Sequence, residues 1–149
     1  MDQPPEPLDV LERATAVLVR NFEMLRRRTD VYAELDQAEY LILRTLDDLG
    51  PADIGTLAGA LGLDPSTAGR QVSALLRKEL AERNPASDDR RRCVITPTDH
   101  GRDLMHRTRA RRRSTVGELL GDWTPGELDA FAELLTRYNS AVTRRYLSD

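Results

Sequence analysis

One cysteine, Cys93, and two histidines, His100 and His106, are all that this 149-residue chain offers to thiol or imidazole chemistry. A lone cysteine excludes an intrachain disulfide and any metal site built from several thiolates. The histidines stand at i and i+6 of one helical stretch, a spacing that does not chelate, so no metal is expected. Glycine-rich phosphate loops are missing, and no nucleophile motif surrounds any serine. The chain therefore reads as a non-enzyme without a cofactor. Aromatic residues make up only 5%, which leaves leucine, alanine and valine to fill a core. No apolar run approaches the roughly 20 residues of a membrane span. The start, Met1–Pro7, has neither the basic end nor the apolar stretch of a signal peptide. The expected location is the cytoplasm, with no membrane partner.

The net charge is −3, an unpromising value for a partner of nucleic acid until it is mapped. Residues 1–63 carry six basic and twelve acidic side chains, and residues 114–149 carry three and six. Residues 64–113 carry thirteen basic and seven acidic ones. The positive charge is confined to the middle of the chain. An anionic backbone responds to such a local footprint, because charges beyond a Debye length are screened.

Helical periodicity opens the chain. Leu11, Leu18, Phe22 and Leu25 fall on one face of a helix from Leu8 to about Arg28. A second helix runs from about Asp36 to Asp48 and stops at Gly50-Pro51. Asp53 caps a short third helix that ends at Gly62. Asp64-Pro65 opens a fourth, with aspartate accepting from free N–H groups and proline fitting the first turn. Leu80–Asn84 and Arg92–Thr96 read as two short strands around the polar tip Pro85–Arg91, a β-hairpin. Thr98 caps a fifth helix to about Leu120. Thr124-Pro125-Gly126-Glu127 is a capping box for a sixth, which bears Leu128, Phe131, Leu135, Tyr138 and Val142 as a stripe. Short helices followed by a hairpin give a winged helix-turn-helix, mainly α with a small β-wing. The apolar stripes of the terminal helices ask for a second chain, so a two-fold homodimer is expected.

The fourth helix buries Ala68, Val72, Leu75 and Leu76. It turns Ser66, Arg70, Ser73 and Arg77 outward, with Thr67, Gln71 and Ala74 at the margin. That outer face is slim, polar and basic, as a helix in the major groove must be. Arg70 suits a bidentate contact to guanine, and Ser66 and Thr67 suit a phosphate or a base edge. Taken alone, an ordinary amphipathic surface helix explains the pattern equally well. The hairpin tip shifts the balance. Arg90, Arg91 and Arg92 on a projecting arm can reach a minor groove, where negative potential is focused. Asp89 and Arg91 are two apart, able to pair and leave Arg90 for the DNA. The five arginines Arg107, Arg109, Arg111, Arg112 and Arg113 of the fifth helix read as a solvated face, partly paired with the acidic first helix.

The run Leu57-Ala58-Gly59-Ala60-Leu61-Gly62-Leu63-Asp64-Pro65-Ser66-Thr67, with Arg70-Gln71-Val72 and Leu75-Leu76, resembles the core of the MarR family (multiple antibiotic resistance regulators). Asp89-Arg90-Arg91, followed by Thr98 and Gly101, is similar to that family's wing signature. The resemblance covers about residues 8–146, with its strong motifs in 54–101. It implies a triangular obligate dimer that binds double-stranded DNA at a palindromic operator, one half-site per winged helix. The division it implies is an N-terminal dimerisation helix in 1–34, the winged helix-turn-helix in 35–100, and C-terminal dimerisation helices in 101–149. By the same likeness Arg90 is the minor-groove arginine and Asp89–Arg91 the pair that stiffens the wing. Ser66, Thr67, Arg70, Gln71, Ser73, Arg77, Arg90 and Arg91 are then the DNA-binding set. The family's use of a small aromatic ligand, which releases a repressor from its operator, brings Tyr32, Tyr40 and Arg44 forward as ligand residues. Simple packing of the two tyrosines is the competing reading.

Three positions depart from the pattern. Glu79 stands where the family has the glycine that closes the recognition helix, which implies strain. Pro97 replaces a leucine, so the second strand is expected to end early. Gly69 removes a side chain that often faces DNA. Cys93 is expected to be a small packed residue, with redox sensing as the alternative. A winged helix used for protein contact, without DNA binding, is the rival reading of function.

Overall fold

The structure is a computed structural model that describes residues 5–147; Met1–Pro4 and the last two residues lie outside the described part. The chain forms two compact units, Met1–Ala33 and Glu34–Asp149. The first unit contains α1 (Pro7–Arg28), which starts with Pro7 in the first turn and ends with Arg26, Arg27 and Arg28 near its negative pole. None of its residues is buried.

The second unit follows the order α2 (Gln37–Leu49), α3 (Ile54–Leu61), α4 (Pro65–Arg77), β1 (Ala81–Pro85), β2 (Cys93–Pro97), α5 (Asp99–Leu119) and α6 (Pro125–Tyr146). Each of these helices starts on a side chain that supplies the acceptor its free N–H groups need. Asp36, Asp53, Asp64, Thr98 and Thr124 accept from the backbone N–H of Glu39, Thr56, Thr67, Gly101 and Glu127. Glu39 and Glu127 reach back to complete capping boxes. Gly62 closes α3 in the left-handed region, at φ 65°.

The core of this unit is aliphatic, as the shortage of aromatics requires. Leu35, Ile42, Leu43, Leu46, Leu57, Ala68, Val72, Leu75, Ile95 and Met105 are each at most 2% exposed. They join α2, α3, α4, β2 and α5. Glu39 is buried among them, and its carboxylate accepts from the Lys78 ammonium at the far end of α4. A buried carboxylate with both oxygens satisfied in this way avoids the cost of an isolated charge.

The hairpin pairs Ala81 with Pro97 through to Pro85 with Cys93. An isolated bridge on the other edge of β2 comes from Ala52, just ahead of α3, which exchanges both backbone hydrogen bonds with Ile95 at 2.8 and 3.3 Å. Both strands sit one residue later than the periodicity suggested. Pro97 does not end β2 early, because it is the last residue of the ladder, where a missing N–H costs least. Cys93 is exposed rather than packed. It stands opposite Pro85 at the outer end of the ladder, beyond the reach of the core.

The joint between α4 and α5 is tightly specified. Glu79 adopts φ 57°, the left-handed turn that the family's glycine would make without strain. The N–H of Leu80 bonds back to the Leu75 carbonyl at 2.9 Å, and that of Glu79 to Leu76 at 3.1 Å. The Thr98 hydroxyl donates to the Glu79 carbonyl at 2.8 Å. Gly101 lies so close that a Cβ there would stand 2.0 Å from the Leu80 oxygen. Glu79→Gly is therefore expected to raise stability by up to about 1 kcal/mol. Gly101→Ala is expected to lower it by about 3 kcal/mol. Urea unfolding of both variants measures the pair; a destabilised Glu79→Gly would contradict the reading of this turn.

Candidate nucleic-acid interface

Helix α4 has two faces, although Leu76, expected in the core, and Ser73, expected outward, are both half-buried. Ala68, Val72 and Leu75 are fully buried, whereas Ser66, Arg70 and Arg77 are exposed and Thr67, Gln71 and Ser73 are half-buried. The N-terminal turn is a knot of hydrogen bonds around Asp64. Its carboxylate accepts from the Ser66 hydroxyl, from the Thr67 hydroxyl at 2.6 Å and from the Thr67 N–H at 2.9 Å. These donors, with Arg70 nearby, hold the Asp64 carboxyl well below the usual carboxylate range. Thr67 in turn accepts from the Arg70 guanidinium at 3.0 Å, so Arg70 is oriented before any ligand arrives. The Ser73 hydroxyl donates back to the Gly69 carbonyl at 2.9 Å. Gly69 itself faces open space. The hydroxyls of Ser66 and Thr67 serve the helix cap first, a role that side-chain type alone did not reveal.

The wing presents its three consecutive arginines in two different ways. Arg90 and Arg91 are exposed, and their guanidinium groups have no partner among the described residues. Arg92 is engaged: it reaches Asp88 at 3.0 and 3.2 Å and Asp53 at 3.6 Å. Asp89 does meet Arg91, but by accepting its backbone N–H at 2.9 Å. This is an Asx-type turn, in which a short acidic side chain binds the backbone two residues on. Asp89 thus shapes the loop while the Arg91 guanidinium stays in solvent. The wing's ion pairs are made by Arg92 and Asp88, which the sequence reading passed over; their spacing of four across a turn was the available signal.

Several basic residues of α5 have partners within the protein, while Arg109 and Arg113 are exposed. Arg107 and Arg111 clasp Glu34 at 2.9 and 2.8 Å. Glu34 lies in the connection ahead of α2. Arg112 stacks over the Tyr40 ring with 5.3 Å to the centroid, a cation–π contact. Of the three ligand candidates, Tyr40 is buried and Arg44 is tied to Asp48 and Asp47 on its own helix. Tyr32 belongs to the first unit. Among the described residues no cluster of His, Cys, Asp or Glu could hold a metal ion, and no helix is long and apolar enough to cross a membrane.

Comparison with known proteins gives a consistent picture. Residues 35–93 match the model of the MarR family. The uncharacterized HTH-type transcriptional regulator YxaD of Bacillus subtilis is 33% identical over 139 residues, covering 93% of this chain and 97% of that protein. The HTH-type transcriptional repressor NicR of Pseudomonas putida is 26% identical over 137 residues, 88% of this chain and 85% of its own. Among solved structures, Bordetella bronchiseptica BpsR, whose DNA binding is regulated by 6-hydroxynicotinic acid, superposes with a TM-score of 0.68. That match covers 93% of this chain and 96% of BpsR at 22% identity.

The Asp64 knot has a pH signature. A carboxyl held below its unfolded value contributes stability that is complete above the ordinary carboxylate range and disappears as the pH falls through the lowered value. Asp64→Asn keeps an acceptor for the helix cap but removes the charge. Wild type should therefore melt above Asp64→Asn at pH 7, and the two should converge as the pH is lowered below about 4. Thermal melts across that range check this; a gap that widens on acidification would contradict it.

Proposed function

The chain belongs to the MarR family, and from that premise we propose that it is a homodimeric repressor that binds a palindromic DNA operator and is released by a small aromatic ligand. The observation that carries this reading is the pair of cationic protrusions on one unit. Arg70 stands on the exposed side of α4, fixed by Thr67, and Arg90 and Arg91 stand on the wing with their charges in solvent. Such a pair suits one major groove and a neighbouring minor groove. Arg70 reads a guanine edge, Arg77 and Ser73 flank it, and Ser66, Thr67 and Gln71 lie against the backbone. Arg90 enters the minor groove, and Arg91 adds phosphate contact on a loop shaped by Asp89. As an intracellular regulator the protein meets its operator in the cytoplasm.

Dimerisation is supported by apolar side chains that the single chain leaves in water. Along α6, Leu128, Leu134, Tyr138 and Val142 are between 39% and 57% exposed. Leu8, Leu11, Val19 and Phe22 of α1 are also exposed. Both helices are assigned to the interface, α1 within residues 1–34 and α6 within 101–149, around the DNA-reading segment 35–100. A second copy covers these stripes and sets the distance between two recognition helices. The ligand reading draws on BpsR, which answers to a pyridine carboxylic acid. Here Tyr40 and Arg44, both on α2, are the candidates to receive such a ring and its charge.

Binding to DNA from the gene's own promoter region tests the proposal. Affinity should fall with salt at a log–log slope of about −0.9 per phosphate neutralised. Arg70→Ala should cost about 1–3 kcal/mol and blur sequence choice, whereas Arg90→Ala should weaken binding to all sequences. Light scattering should give twice the chain mass, and Leu128→Asp combined with Tyr138→Asp should give the monomer and abolish operator binding. Wild-type binding by both arginine variants, or a monomeric wild type, would overturn the assignment.

A further inference from the structure

We propose that Arg92 is a positioning residue for DNA binding, a strut that fixes the wing relative to the helix-turn-helix and does not itself touch DNA. The inference rests on the DNA-binding reading and goes beyond it by separating Arg92 from its two neighbours. Three adjacent arginines are chemically equivalent in the sequence. In the fold, two are in solvent and the third is bound at both ends of its fork. One Nη atom of Arg92 holds both oxygens of Asp88 in the wing loop, and the other faces Asp53 at 3.6 Å. Asp53 is also the N-cap of α3, accepting from the Thr56 N–H at 2.7 Å. The same carboxylate therefore starts α3 and receives the wing.

Backbone pairing secures the wing only at its base. The rung between Ala52 and Ile95 and the ladder up to Pro85–Cys93 tie the strands to the body. Beyond that point, loop 86–92 is closed on itself by Ala86 N–H to Arg92 O and Arg92 N–H to Asp89 O, at 2.9 and 3.0 Å. Among the described residues, Arg92 to Asp53 is the polar side-chain link from this loop to the helices. Exposed ion pairs contribute little to global stability. Their geometric effect is larger here, because a small tilt at the base of an arm moves Arg90 at its tip by more.

The sign of a charge removal separates a strut from a phosphate contact. Deleting a carboxylate near DNA reduces repulsion and should tighten binding on electrostatic grounds alone. If Arg92 is a strut, Asp53→Asn and Asp88→Asn instead weaken operator binding by about two- to fivefold. Asp53→Asn retains a capping acceptor, and Asp88→Asn has no cap to lose, so one variant remains informative if the other melts early. Arg92→Lys should weaken binding as the Asn variants do, since an ammonium has no fork to span two carboxylates. Arg92→Ala should leave the salt slope unchanged, whereas loss of a phosphate contact lowers it by about 0.9. Without DNA, trypsin should cleave after Arg90 and Arg91 several-fold faster in both Asn variants than in wild type. Either folded Asn variant binding as tightly as wild type or tighter, a reduced salt slope for Arg92→Ala, or unchanged tryptic rates would overturn the strut. A wild type that ignores promoter DNA would instead refute the functional reading, and the tryptic rates would still decide the strut.

Discussion

The architecture of the unit Glu34–Asp149 depends on the closure between the end of α4 and the start of α5. Glu79 turns left-handed, Leu80 bonds back to Leu75, Thr98 takes the Glu79 carbonyl, and Gly101 allows the two backbones to touch. Helix α4, the hairpin and α5 are thereby joined. A hinge at this point would let the wing drift relative to Arg70, and two cationic protrusions would lose their fixed separation. The strain accepted at Glu79 is small against that requirement, because its neighbours over-determine the turn.

A second constraint operates at the same end of α4. Buried Glu39 joins the start of α2 to Lys78 just past the end of α4, while Arg107, Arg111 and Arg112 tie α5 to Glu34 and Tyr40 around the same start. A polar network of this kind is costly when half made and rigid when complete. It joins the elements flanking Tyr40 to the helix that carries Arg70. A ligand that disturbs contacts near Tyr40 therefore acts on groups coupled to the recognition helix, which is the physical content of ligand release in the proposed mechanism.

Much of this was legible in the residues, for local reasons. Asp36, Asp53, Asp64, Thr98 and Thr124 announce helix starts because a cap is a contact between residues two or three apart. The alternation of Ala68, Val72 and Leu75 with Ser66, Arg70 and Arg77 is equally local. Features hidden from the sequence were those settled by distant partners. Arg107 and Arg111 find Glu34, more than seventy positions away. Cys93 is exposed because of where the ladder ends, and the reach of Arg92 to Asp53, beyond its local pair with Asp88, is set by the fold. The hydroxyls of Ser66 and Thr67 looked like free tips and are drawn into the Asp64 knot by a geometry that no spacing rule specifies. Spacing and family likeness both pointed to a pairing of Asp89 with Arg91; in the fold Asp89 accepts from the backbone N–H of Arg91.

The central claim is that one rigid unit presents Arg70 to a major groove and Arg90 to an adjacent minor groove, twice, by symmetry. Hydroxyl-radical footprinting combined with guanine-methylation interference on promoter DNA tests it most directly. The account predicts two symmetric half-sites about one helical turn apart, or a multiple of it. Each half-site should contain a guanine whose N7 methylation blocks binding, flanked by a protected minor-groove segment. A single unsymmetric footprint, or binding indifferent to guanine methylation, would contradict it.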